Sequence, residues 1–295
     1  MKKYKILLFT FLMLPLLALA QTKQKDSIVD KPERPAFDSA TLIDNPTNVL
    51  FIKNTLEVQM QHRFGSLFED NSLFGIYGAN TNIRIGFSYT ILDGVAIGYG
   101  FSKINRLHDF NWKVSLLKQT RSDRTPLSIA YYGNFAIDGR SSESNDNVFY
   151  LRQHRYSNFH QLIFARRFSP KLSLQVAPSL SHYNTRRDFT ENNRFAIAIG
   201  GRYKISAQTS ILLDYSQPIT MFDRDPDALK QDGFNPLNQP GISLGTEFAT
   251  SGHIFQIFIT NYNGIVPQQN YMKNTNDFFH RGALIGFNIT RNYNF

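Results

Sequence analysis

The 295-residue chain contains no cysteine. That absence excludes disulfides, thiolate nucleophiles, thiolate metal sites and a lipid carried on a mature N-terminal cysteine. Long apolar runs are missing too: beyond residue 20 none approaches the roughly 18 to 20 residues a membrane helix needs, so a helical membrane protein is excluded. There is no HxxxH or HExxH spacing among His62, His108, His154, His160, His182, His253 and His280, and no CxxCH for covalent haem. Gly98-Tyr-Gly100 is not a nucleotide fingerprint, because position 103 is lysine and the stretch reads as a strand. No metal or cofactor is expected, and no enzymatic activity.

What is present is alternation. At the C-terminus Ile285, Phe287, Ile289, Tyr293 and Phe295 alternate with Gly286, Asn288, Thr290, Asn292 and Asn294, and only Arg291 interrupts the apolar face. A terminal strand that stops on phenylalanine resembles the signal by which Gram-negative outer-membrane barrels are recognised, which makes the insertion machinery an expected partner through Tyr293 and Phe295. Near a strand end Arg291 is read as an interface anchor that snorkels to the headgroups. Aromatic content is 14%, with 26 Phe and 14 Tyr, which suits strands and membrane-interface belts. Tyr203, Tyr215, Tyr293 and Phe295 are expected girdle residues.

The N-terminus supports the same compartment. A basic start with Lys2, Lys3 and Lys5 precedes an apolar run from Ile6 to Leu19 and an Ala18-Leu19-Ala20 site, the anatomy of a secretory signal cleaved after Ala20. Losing residues 1–20 lowers the formal charge from +9 to +6. The remaining basic residues are scattered along strands, so nucleic acid is not an expected partner.

Residues 21–53 carry prolines and only short apolar pieces, Phe37, Leu42 and Ile43, which argues against a regular element. They are expected to form an irregular leader outside the barrel wall or a plug within the lumen. From residue 54 to 295 the pattern predicts twelve strands, at 54–65, 81–92, 95–104, 109–119, 127–138, 155–168, 171–183, 193–205, 210–220, 240–250, 253–263 and 281–295. Connections alternate between tight turns, such as Asp93-Gly94 and Ser169-Pro170, and long loops at 66–80, 139–154, 184–192, 221–239 and 264–280. The fold class is therefore all-β: an antiparallel transmembrane up-and-down β-barrel of about twelve strands, integral to the outer membrane and surrounded by its lipid, with turns and termini periplasmic.

Several segments carry a family resemblance. Asp38-Ser39-Ala40-Thr41-Leu42-Ile43-Asp44, Gln61-His62-Arg63-Phe64-Gly65, Leu73-Phe74-Gly75-Ile76-Tyr77-Gly78, His160-Gln161-Leu162-Ile163, Ala165-Arg166-Arg167-Phe168, Gln175-Val176-Ala177-Pro178-Ser179 and Phe255-Gln256-Ile257-Phe258 resemble a family of Bacteroidetes-type outer-membrane β-barrels known as a domain of unknown function. The resemblance runs from about Pro35 to Phe295. It implies fold and location, and it brings no ligand or catalytic residue.

If the apolar faces meet lipid, the opposite faces point inward. Glu57, Arg63, Arg84, Lys113, Arg202, Lys204, Asp214 and Glu247 are then lumen-lining candidates, able to line a water-filled channel or to pair with a plug. Small residues on the same faces, among them Ala96, Gly98, Gly100, Ser173, Ala177 and Ser179, leave room for a narrow polar pore or a seat for the leader, or relieve crowding in a small curved barrel. The expected role is passive passage of small polar solutes. Two alternatives stand beside it: a plugged barrel acting as a surface scaffold or binding protein, and a barrel-wall hydrolase built from His160, Ser179, Ser181, His182 and Asn184.

Overall fold

Alternation of period 2 decides the wall, and β10 (Asn193–Lys204) shows how. Arg194, Ala196, Ala198 and Arg202 are buried, whereas Ile199 and Tyr203 on the other face are each 49% exposed. The same inversion holds around the sheet: Ile97, Leu213, Leu244 and Ile257 face out, while Gln161, Gln175, Asp214 and Gln256 are almost fully covered. A polar interior inside an apolar surface is the arrangement that lipid selects.

The structure, a computed structural model, describes residues 30–70, 72–78, 80–141, 151–184, 192–219 and 239–295. The expected signal peptide, leader residues 21–29 and parts of four expected long loops lie outside the described residues. Residues Pro32–Phe295 form one unit. Within it a two-residue-strand hairpin, β1 (Thr41–Leu42) and β2 (Asn45–Pro46), precedes the wall. Twelve strands then close on themselves. They are β3 (Thr55–Ser66), β4 (Asn82–Leu92), β5 (Val95–Ser102), β6 (His108–Leu117), β7 (Ser128–Ile137) and β8 (Tyr156–Arg167). The circle continues through β9 (Leu172–Tyr183), β10, β11 (Thr209–Ile219), β12 (Gly241–Ala249), β13 (His253–Thr260) and β14 (Leu284–Asn294).

Every neighbour pair is antiparallel, and closure is made by β14 on β3, from Asn294↔Thr55 to Leu284↔Ser66. The C-terminal strand thus completes the cylinder and leaves no open edge. Short turns gather at one end, where Gly94 takes φ +88 in the two-residue Asp93-Gly94 connection, a conformation open to glycine. The longer connections gather at the other end.

Strand ends depart from expectation most around residue 261. The stretches 253–263 and 281–295 alternate well enough to suggest longer strands, but β13 stops at Thr260 and β14 starts at Leu284. Asn261 is the reason. Its Oδ1 accepts the backbone N–H of Ile242 and its Nδ2 donates to the carbonyls of Pro240 and Asn276, which ties the chain across the rim and turns it inward. Tyr262 follows at 1% exposure, its ring lying where a Cβ on Gly241 would sit.

Candidate functional site

The lumen is occupied by the chain itself. From the short-turn end the leader enters with Ala36, Phe37, Leu42, Ile43 and Val49 buried against Ala165, Leu212 and Phe258 of the wall. The short apolar pieces that argued against a regular element are thus core residues of an inward hairpin. Gly200 lets it approach closely: a Cβ there would run into Leu42 Cδ2.

The hairpin tip is held by polar groups from several strands. Ile43 adopts φ 51, a strained conformation for a β-branched residue. Its carbonyl accepts from Arg63 Nη2 and Asn288 Nδ2, at 3.3 and 2.9 Å. Asp44 Oδ1 pairs with Arg63 at 2.8 Å, and Oδ2 accepts from Ser243 and Thr260 at 2.6 and 2.9 Å. Asp214 accepts the backbone N–H groups of Asp44 and Asn45, both at 3.1 Å, and Asn45 Nδ2 at 2.7 Å. Charge-assisted bonds of this kind satisfy a carboxylate that burial would otherwise penalise.

Further contacts extend the grip. Lys113 Nζ donates to the carbonyls of Ala40 and Val49, Gln256 to that of Thr41 and Gln175 to that of Pro46. Asp38 lies nearer the mouth, with Oδ2 2.7 Å from Arg202 Nη1 and 2.9 Å from Lys204 Nζ. Burial alone would raise its pKa, but the two cations outweigh that and hold the carboxyl below its ordinary range. At the rim Glu33 pairs with Arg167 at 2.9 Å.

A second segment descends from the long-loop end. Pro267 opens the short helix α1 (Pro267–Lys273), whose residues Pro267 to Met272 are all buried. Gln268 donates to Asn134 on β7 at 2.8 Å, and the Tyr271 hydroxyl donates to Asn45 of the leader. Leader and loop therefore meet inside the barrel. Beside them lies a polar cavity of about 70 Å³ against β3 to β7, lined in part by Glu57, Arg84, Asp109, Lys113, Tyr132 and Asn134. It has room for a few waters. At the short-turn mouth a vestibule of about 520 Å³ opens beside Asp38 and Lys204.

All eight lumen candidates have a definite place. Arg63, Lys113, Arg202, Lys204 and Asp214 engage the leader as described. Arg84 is clasped by Asp109 on the wall, Nε to Oδ2 at 2.8 Å and Nη2 to Oδ1 at 2.7 Å. Glu57 accepts from Gln59 and Glu247 from Gln256, the latter at 2.9 Å. Sequence reasoning left out Asp109, Asn134, Ser243, Thr260 and Asn288. Asp109 shares the face of Lys113 two strand steps away, so period 2 could have found it; nothing in local sequence marks the others as partners of the leader.

The expected hydrolase residues do not form the proposed constellation. His160 Nδ1 bonds to the Tyr131 hydroxyl at 2.7 Å and His182 to Asn193 and Asn184, while Ser179 donates to the carbonyl of Ala196. Arg291 lies outside, against His253 and over the Tyr293 ring.

Fold and site together define a membrane β-barrel whose lumen holds an internal plug. The chain belongs to the family described as membrane bound beta barrel domain (DUF5777), whose model matches residues 37–293. Solved structures similar in fold include the NanC porin, at 9% identity and TM-score 0.47 over 81% of this chain and 100% of that one. A KdgM porin in complex with disordered oligogalacturonate aligns at 8% identity and TM-score 0.41, over 82% and 99% of the two chains. An outer membrane channel from Pseudomonas putida F1 aligns at 11% identity and TM-score 0.46, over 83% and 97%. Among curated proteins none matches.

Proposed function

We propose that this protein is an integral channel of the Gram-negative outer membrane for small polar solutes, held closed by leader residues 36–51. The carrying observation is the Asp44 carboxylate, which enters from outside the wall yet takes its partners from β3, β12 and β13. The secretory signal, the aromatic terminus and the segregation of turns from loops support the compartment, with lipid around the apolar belt and termini in the periplasm. Tyr293 and Phe295 are the residues offered to the insertion machinery. Once the leader withdraws, passage is diffusion past the lumen charges, without covalent chemistry or energy coupling.

A second reading, a closed barrel serving as a surface scaffold, rests on the β3–β4 loop. Leu73 and Phe74 are held at φ 48 and 57, and Leu73, Phe74 and Tyr77 are 53, 64 and 75% exposed. Planar-bilayer conductance separates the two. The chain from residue 21 is expected to be silent and a chain begun at residue 50 to give discrete steps. Silence in both, with insertion shown independently, favours the scaffold.

A further inference from the structure

The cations of the lumen differ in what neutralises them. Arg84 has its carboxylate on the wall, in Asp109, and keeps it whether or not the leader is present. Arg63, Arg202 and Lys204 instead make their ion pairs with the leader, through Asp44 and Asp38. Glu247 lies in the field of Arg202 and Lys204 but is bonded to Gln256. Withdrawal of the leader therefore leaves these cations without the carboxylates that now occupy them.

The deeper position is a built carboxylate seat. One oxygen of Asp44 meets a guanidinium and the other meets two hydroxyls, and Arg63, Ser243 and Thr260 are each no more than 1% exposed. Beside it Asp214 accepts N–H donors, including that of Asp44 itself. The site thus asks for a carboxylate with a hydrogen-bond donor close by. We propose that Asp44 and Asp38 stand in for the carboxylates of the transported solute, and that the channel passes small carboxylated solutes bearing adjacent hydroxyl or amide donors. The leader is then both plug and competitor, displaced by the chemistry it imitates. This rests on the closed-channel reading above and names its substrate class.

Shared carboxylate chemistry has two sources, acidic sugars and acidic amino-acid derivatives, so the test uses glucuronate and N-acetylaspartate with glucose as neutral control. The full chain from residue 21 carrying Asp38→Asn and Asp44→Asn, which removes both leader charges and their ion pairs while keeping near-isosteric side chains, is reconstituted in vesicles and uptake of each labelled solute is timed. At least one acid is expected to enter about tenfold faster than glucose, the discrimination given by one good charged contact, and the faster acid identifies the source. Adding Arg63→Gln and Arg202→Gln is expected to abolish the preference. Equal entry of all three overturns the carboxylate inference and leaves closure by the leader standing; no entry of any overturns the inference that these two carboxylates hold the leader in its seat. Hydrogen exchange of the wild-type protein guards against a misfolded variant. Exchange of residues 41–47 is expected to rise with one of the acids and not with glucose, and no change with either acid overturns the inference.

Discussion

Arg63 shows what one lumen residue carries. Its guanidinium serves Asp44, the carbonyls of Ile43 and His62 and the amide of Asn288, and it lies 4.5 Å from the centre of the Phe258 ring. Removing one partner of a buried ion pair leaves the other charge uncompensated, at a cost of about 3–5 kcal/mol. Arg63→Gln is expected to lower the thermal unfolding midpoint in detergent, and adding Asp44→Asn is expected to recover part of the loss because no charge is then stranded. Losses that simply add in the double variant contradict the pairing. The inward placement of Arg63 was legible from its alternation with Leu56, Val58, Met60 and Phe64. That a leader carboxylate such as Asp44 could pair with a lumen charge was legible too; that it meets Arg63 was not, because Asp44 reaches it through a turn whose geometry depends on wall residues Ser243, Thr260 and Asn288, some 200 positions away.

Among the elements, the leader hairpin and α1 depend on one another. The hydroxyl of Tyr271 reaches Asn45, and burial raises its phenol pKa above the ordinary value, so the group stays a donor at neutral pH. Tyr271→Phe deletes that bond together with the longer contact of the hydroxyl to Ser216 Oγ at 3.4 Å. A net loss of about 1 kcal/mol is expected, equivalent to roughly fivefold faster hydrogen exchange at residues 41–47; unchanged exchange there contradicts a coupled plug. Neither element was legible in full. Leu42 and Ile43 looked too few to form a core, because the surface they bury against belongs to the wall. The seven-residue α1 gives too short a helical period to stand out, and Tyr262 extended the apparent strand beyond Thr260.

At the scale of the molecule the wall was the legible part, since a closed antiparallel cylinder in lipid imposes period 2 on every strand and the strand count follows from the loops. That the leader could fill the cylinder was legible as one of its two placements, but its exact seat was not, because a plug is specified by scattered polar contacts with no period of its own. The central claim is that the leader lies inside that cylinder. The chain has no cysteine, so introduced thiols report without background. Thr41→Cys paired with Gln59→Cys places one thiol on the leader and one on β3, where the native side chains are 3.2 Å apart. A short thiol crosslinker applied to intact outer membranes is expected to join them and shift the protein on a gel. No crosslink at this pair, while Glu247→Cys and Gln256→Cys on the neighbouring strands β12 and β13 do join, would contradict the account.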